Sequence, residues 1–263
     1  MMRIGKKTGI FLLLAGFLLG TNQLQAMIED ERSLAPPEIQ QATKNILEQM
    51  SQVLQKKTGH RVELSSIRPN LYRVHLGKRL ADPPGTPLRG AASRKGIDLF
   101  TDSFDGADER TLATLIHELS HVILGHTGRR MFEPRNQKEF EAQHLAASTA
   151  FEMKLIGVLG IEIVKAPLKL IPFATKAFRR DRNKCHALGH LNSIASYKNS
   201  FAYRHLMREL KVTLSEQIGL DPATEVLMAI DLWKPVATYK EALRQYDRIA
   251  PALDHLREPG HQD

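Results

Sequence analysis

The sequence predicts an α+β protein, mostly helical, with a small antiparallel sheet ahead of one apolar helix carrying a metal-binding pattern. Three observations predict it. Apolar residues recur at three- and four-residue spacing through most of the 263 residues. Short stretches of alternating polar and apolar residues cluster between residues 60 and 100. Between these strands and the later helices lies "TLATLIHELSHVILGHT", residues 111 to 127.

The elements follow in order. Residues 1 to 26, "MMRIGKKTGIFLLLAGFLLGTNQLQA", have a basic start, an apolar run from Ile10 to Leu19 and a polar end at Ala26. That run is shorter than the roughly 18 residues that span a bilayer, so the segment reads as a signal peptide. Export to the periplasm or beyond is the expectation that follows. Residues 28 to 57 predict a helix entered at Pro36-Pro37, with Ile39, Ile46, Leu47, Met50 and Val53 on its apolar face. "HRVELSSI", "LYRVHLG" and "GIDLF" predict strands at 60 to 67, 71 to 77 and 96 to 100. The Pro/Gly-dense "ADPPGTPLRGAASRKG" between them reads as a turn region or flap over a cleft. The motif helix begins near Asp105 or Asp108 and stops at Gly125, and a second helix covers residues 137 to 153. Beyond it, residues 154 to 180 predict a core helix and then a basic amphipathic one, a candidate for contact with a membrane surface. The remainder to about residue 256 is helical, broken at Gly219 to Pro222. These elements divide the chain into a signal segment (1–26), a catalytic-type domain (27–155) and a helical C-terminal region (156–263) that can belong to the same domain.

Composition excludes several classes. With 42% hydrophobic and 25% charged residues the chain is neither disordered nor a membrane bundle. The net charge of +8 includes Arg3, Lys6 and Lys7, so the rest holds 34 basic against 29 acidic residues, too mild an excess to argue for nucleic acid. Cys185 is the sole cysteine, so the chain forms no internal disulfide. No phosphate-binding glycine loop and no serine nucleophile elbow are present.

The chemistry rests on His117-Glu118-x-x-His121. A helix turns 100° per residue, so residues four apart differ by about 40° and both imidazoles reach one ion. Glu118, about 100° from His117, is placed to take a proton from a water that the ion acidifies. Leu112, Leu115, Ile116, Leu119, Val122 and Ile123 make the helix apolar around much of its circumference, and buried polar groups there need a partner such as a metal. A catalytic zinc site takes three protein ligands. The best third candidate is Glu141 in "QKEFEAQHLAA", where Ala142, Ala146 and Ala147 allow close packing. Glu139 competes, about 200° away around the same helix. His144 is a lesser candidate for orienting a ligand or stabilising an oxyanion, and His126 reads as a cap or as a group behind the ligands. In "KCHALGH", His186 and His190 sit four apart, yet a partly buried helix face is the plainer reading; "FRRDRNK" reads as a solvated basic face.

"HELSHVILGH" followed by "EFEAQHLAA" resembles the zincins whose third ligand is a glutamate, and among them the ImmA/IrrE-like metallopeptidases. The likeness covers residues 60 to 153. It implies a small sheet before the motif helix, one zinc ion held by His117, His121 and Glu141, and Glu118 as general base. The approach "GIDLFTDSFDGADERTLATLIHELSH" is also similar to that of the HtpX-type peptidases. The expected activity is zinc-dependent hydrolysis of peptide bonds in a protein or peptide substrate, with the strand at 96 to 100 offering its edge to an extended chain. The alternative is a non-catalytic zinc-bound module that binds a protein partner or nucleic acid.

Overall fold

The computed structural model describes residues 32–77, 90–100, 109–128, 130, 133–155 and 177–253. The signal segment, most of the Pro/Gly-rich stretch and most of the basic amphipathic segment lie outside these residues. The architecture is α+β, with seven α-helices and one four-stranded sheet among the described residues.

Strand β1 (Arg32–Leu34) occupies residues expected to be helical, because it pairs with β2 (Val74–Gly77). The Ala35 N–H extends that pairing by donating to Val74 O. Pro36 and Pro37 cannot donate, so helix α1 (Pro37–Thr58) starts with proline in its first turn, where no intrahelical partner is missed. Gly59, at φ 73°, ends it in the left-handed conformation. Residues 60 to 67 form no strand. They hold a 3-10 turn at Leu64–Ser66, a second follows at Pro69–Tyr72, and Ile67 packs into the core while Val62 and Leu64 lie against it.

The sheet is mixed where an antiparallel one was expected. After β2 the chain reaches the far edge as β3 (Gly90–Ser93), turns through Arg94-Lys95, and returns as β4 (Gly96–Leu99) between β3 and β2. That return makes β4 antiparallel to β3 but parallel to β2. All four residues of β4 are buried, and β3 is the edge strand in its place among the described residues. Gly90 allows β3 to lie on the motif helix, since a Cβ there would sit 2.7 Å from Thr114 Cγ2 and 3.2 Å from Glu118 Cγ.

Helix α2 (Glu109–Ile123) carries the motif, and α3 (Arg135–Glu152) follows it. Helices α4 (Ala177–Ser196), α5 (Phe201–Ile218), α6 (Leu220–Asp231) and α7 (Tyr239–Leu253) complete the chain. There are two apolar cores. One joins α1, the sheet and α2 around Leu47, Met50, Ile97 and Leu119, and takes Leu145 and Ala146 from α3. The other joins Phe140, Ala147, Ala150 and Phe151 of α3 to α4–α7 around Leu188, Leu210 and Trp233. Helix α3 is therefore a wall shared by both.

Helices α3 and α4 run in the same direction, as side-chain pairs along them show: Glu139 with His186, Gln143 with His190, Ser148 with Ser193, and Glu152 with Tyr197 just beyond α4. Gly189 sets their closeness. A Cβ there would lie 2.5 Å from the Phe140 carbonyl oxygen, so only glycine tolerates this approach.

Candidate metal centre

His117 and His121 project from one face of α2 as the helical spacing requires, with Nε2 atoms 3.2 Å apart. The carboxylate that meets them is Glu139, whose Oε2 lies 3.4 Å from His117 Nε2 and 3.6 Å from His121 Nε2. A fourth donor comes from α4, where His186 Nε2 is 2.9 Å from the same Glu139 oxygen. Four atoms bonded to one ion at 2.0–2.1 Å in a tetrahedron lie about 3.3 Å from one another. The three distances among His117, His121 and Glu139, 3.2, 3.4 and 3.6 Å, lie close to that value, so these three fit a zinc-sized cation by chemistry and by spacing, whereas His186 groups with His117 and Glu139 but not with His121.

Glu141, the expected third ligand, is not brought to this cluster. The roughly 200° between the two glutamates means that only one can face α2, and the packing of α3 selects Glu139. Glu141 Oε2 instead lies 3.2 Å from His126 Nε2 and 2.9 Å from an Arg130 guanidinium nitrogen, while its Oε1 accepts from Gln137. Burial would raise the Glu141 carboxyl, but the bonds from His126, Gln137 and Arg130 outweigh it and hold it down at about 2.

Glu141 nevertheless reaches the cluster at one remove. Gly125, at φ 75°, ends α2 in a Schellman turn, with Gly125 N–H bonded to Val122 O and His126 N–H to His121 O. That turn folds His126 back beneath His121, and their Nδ1 atoms are 3.0 Å apart. A carboxylate only accepts, so His126 donates from Nε2 to Glu141. In the tautomer in which His126 carries its proton on Nε2, its Nδ1 accepts from His121 Nδ1–H. This leaves the lone pair of His121 on Nε2, the atom that faces the cluster. Burial, the largest influence, lowers the His121 imidazole pKa, and His117 adds to this against the opposing pull of Glu139 and Glu118. A neutral ring is the ligating form. Burial raises the Glu139 carboxyl, but bonds from His117, His121 and His186 prevail and hold it well below the usual carboxylate range.

Glu118 is buried beside this set and is fixed by β3, with Ala92 N–H donating to its Oε2 at 2.8 Å. Ile97, opposite Ala92 in the hairpin, sends its own N–H to Arg73 on the other side. The Ala92 N–H therefore points to the edge of the sheet that no other strand covers among the described residues, and Glu118 takes that one N–H. His144 faces away, near Lys57 and Asn192. His190 lies beside Gln143, so it and His186 form no separate clamp.

Sequence reasoning held Glu139 only as the competitor of Glu141, and weighed His186 only with His190, not with the motif histidines. Glycine in the middle of a helix was the signal for His186. No family model, curated protein or solved structure matches the chain.

Proposed function

We propose that the protein is a zinc-dependent peptidase of the zincin type, with His117, His121 and Glu139 holding the ion. The carrying observation is the spacing of these three donors at the edges of a zinc tetrahedron, with Glu118 held beside them at a free strand edge. Zinc bound there would supply a Lewis acid for the peptide carbonyl and acidify a water molecule. Glu118 takes that water's proton and passes it to the leaving amine, so the proton is conserved through the cleavage. Outward backbone groups of β3 align an extended substrate beside Glu118. The small sheet and the motif helix are what the resemblance to ImmA/IrrE-like metallopeptidases implies; it implies Glu141 as the third ligand, whereas the spacing favours Glu139.

Export rests on the N-terminal segment alone and is proposed on that ground. Among the described residues no helix is long and apolar enough to cross a membrane.

The test is zinc content and cleavage of an unstructured peptide. Wild type should carry one zinc and cut. Glu118→Gln should keep the metal and lose about 10²–10⁴-fold in rate, the usual contribution of a general base. Full zinc occupancy in Glu139→Ala would sink the ligand assignment. The second reading is a non-catalytic zinc module, favoured by His186, which with His117 and Glu139 offers another set of three donors. In that case wild type binds zinc tightly and cuts nothing, and His186→Ala lowers zinc affinity.

A further inference from the structure

A groove of about 960 Å³ opens at the C-terminal end of α2. Its rim carries four arginines, Arg61, Arg68, Arg94 and Arg130, against one acid, Glu63. Its floor is aliphatic, including Ile67, Leu71, Val122 and Ile123, and no aromatic ring is found in its lining among the described residues. Thr127, also in the lining, has a buried Oγ1 with no hydrogen-bond partner among the described residues.

Two rulers connect this groove to the candidate centre. Val122 lies four residues past Glu118, about 6 Å along the axis. Arg94 lies two residues past Ala92, in the turn that ends β3. Both residues line the groove, and Ala92 is bonded to Glu118. An extended chain on the free edge of β3 therefore runs into the arginine rim within two residues of the Glu118 carboxylate. Arg130 joins the two from the other side, lining the groove while bonded to Glu141 behind His121.

We infer that this groove is a subsite for acidic side chains of an extended peptide lying along the free edge of β3. The inference rests on the peptidase reading and names its substrate class. Guanidinium forks match carboxylates in two-point contact, and an aliphatic floor suits peptide side chains. Single-stranded nucleic acid is recognised largely by stacking on aromatic rings, which the lining does not offer.

The test separates binding from turnover. Two fluorescent peptides of equal length, one glutamate-rich and one with glutamine in place of each glutamate, are titrated onto full-length zinc-loaded Glu118→Gln protein. The acidic peptide should bind about 10-fold tighter at low salt, as charge-assisted contacts predict. That ratio should fall toward one in high salt and in Arg68→Glu/Arg94→Glu, two exposed positions where charge reversal leaves the cores intact. Equal affinities, or a preference untouched by the charge reversal, would overturn the subsite. So would tighter binding of a single-stranded oligonucleotide than of the acidic peptide. Failure of wild type to cut either peptide defeats the peptidase reading instead, and leaves the binding comparison to judge the groove.

Discussion

Two glutamates two residues apart have different jobs because a helix turns them to opposite sides. Glu139 stands among imidazoles and Glu141 stands behind one of them. Removing a group that orients a ligand typically weakens metal affinity 10–100-fold without abolishing it. Glu141→Gln and His126→Asn should therefore retain zinc at saturating metal while the dissociation constant rises by about that factor. Glu139→Gln should lose stoichiometric binding in the same titration. Equal loss from both glutamate variants would return Glu141 to the ligand set. A separate residue-scale effect belongs to Lys57, whose stem is exposed while its ammonium is tucked against His144 and Ser148. Burial lowers its pKa from 10.5 to about 8, against the opposing charge of Glu152. Between those values the unfolded chain binds more protons than the folded one, so this group makes stability rise with pH across that window. Lys57→Met should abolish its share of the rise, visible as a smaller gain in melting temperature between pH 8 and pH 10 than in wild type. An unchanged gain would show that the ammonium is not desolvated.

At the scale of elements, the centre depends on how closely α3 and α4 approach. Gly189 permits that approach, and His186, one turn earlier on the same helix, is brought to Glu139 by it. Gly189→Val inserts a branched side chain where even a Cβ meets the Phe140 carbonyl oxygen. Overpacking of this kind costs about 1–3 kcal/mol, which in a chain of this length lowers the melting temperature by roughly 2–4 °C per kcal/mol. Zinc affinity should fall as well, because the helices separate at the cluster. A variant that melts like wild type would mean that the helices have room to spare. The edge strand shows a similar dependence on a small residue: Gly90 lets β3 rest on Thr114 and Glu118. Its position was hidden in sequence by the surrounding prolines and glycines, which read as turn signals, and pairing with β4 overrode them.

For the whole molecule, the C-terminal helices complete both the fold and the candidate site. Without them, Phe140, Ala147 and Phe151 of α3 would face water, and His186 would be missing. A fragment ending at Leu155 should therefore show no cooperative urea transition, whereas the full chain should. A cooperative, zinc-binding fragment would demonstrate that residues 27–155 are an independent domain.

The sequence by itself determined what depends on local periodicity. The α+β class, the motif helix, the convergence of His117 and His121 and the stop at Gly125 all follow from a fixed turn per residue and from backbone preferences of single residues. It also limited the third carboxylate to one of two positions. It could not choose between them, because α3 lies between two cores and is apolar or small around most of its circumference, leaving no polar face to orient it. Only the tertiary structure decided that choice, the arrival of His186 from α4, and the insertion of β4 that made β3 the free edge. Each of these depends on which distant segments meet, and such meetings leave no period along the chain.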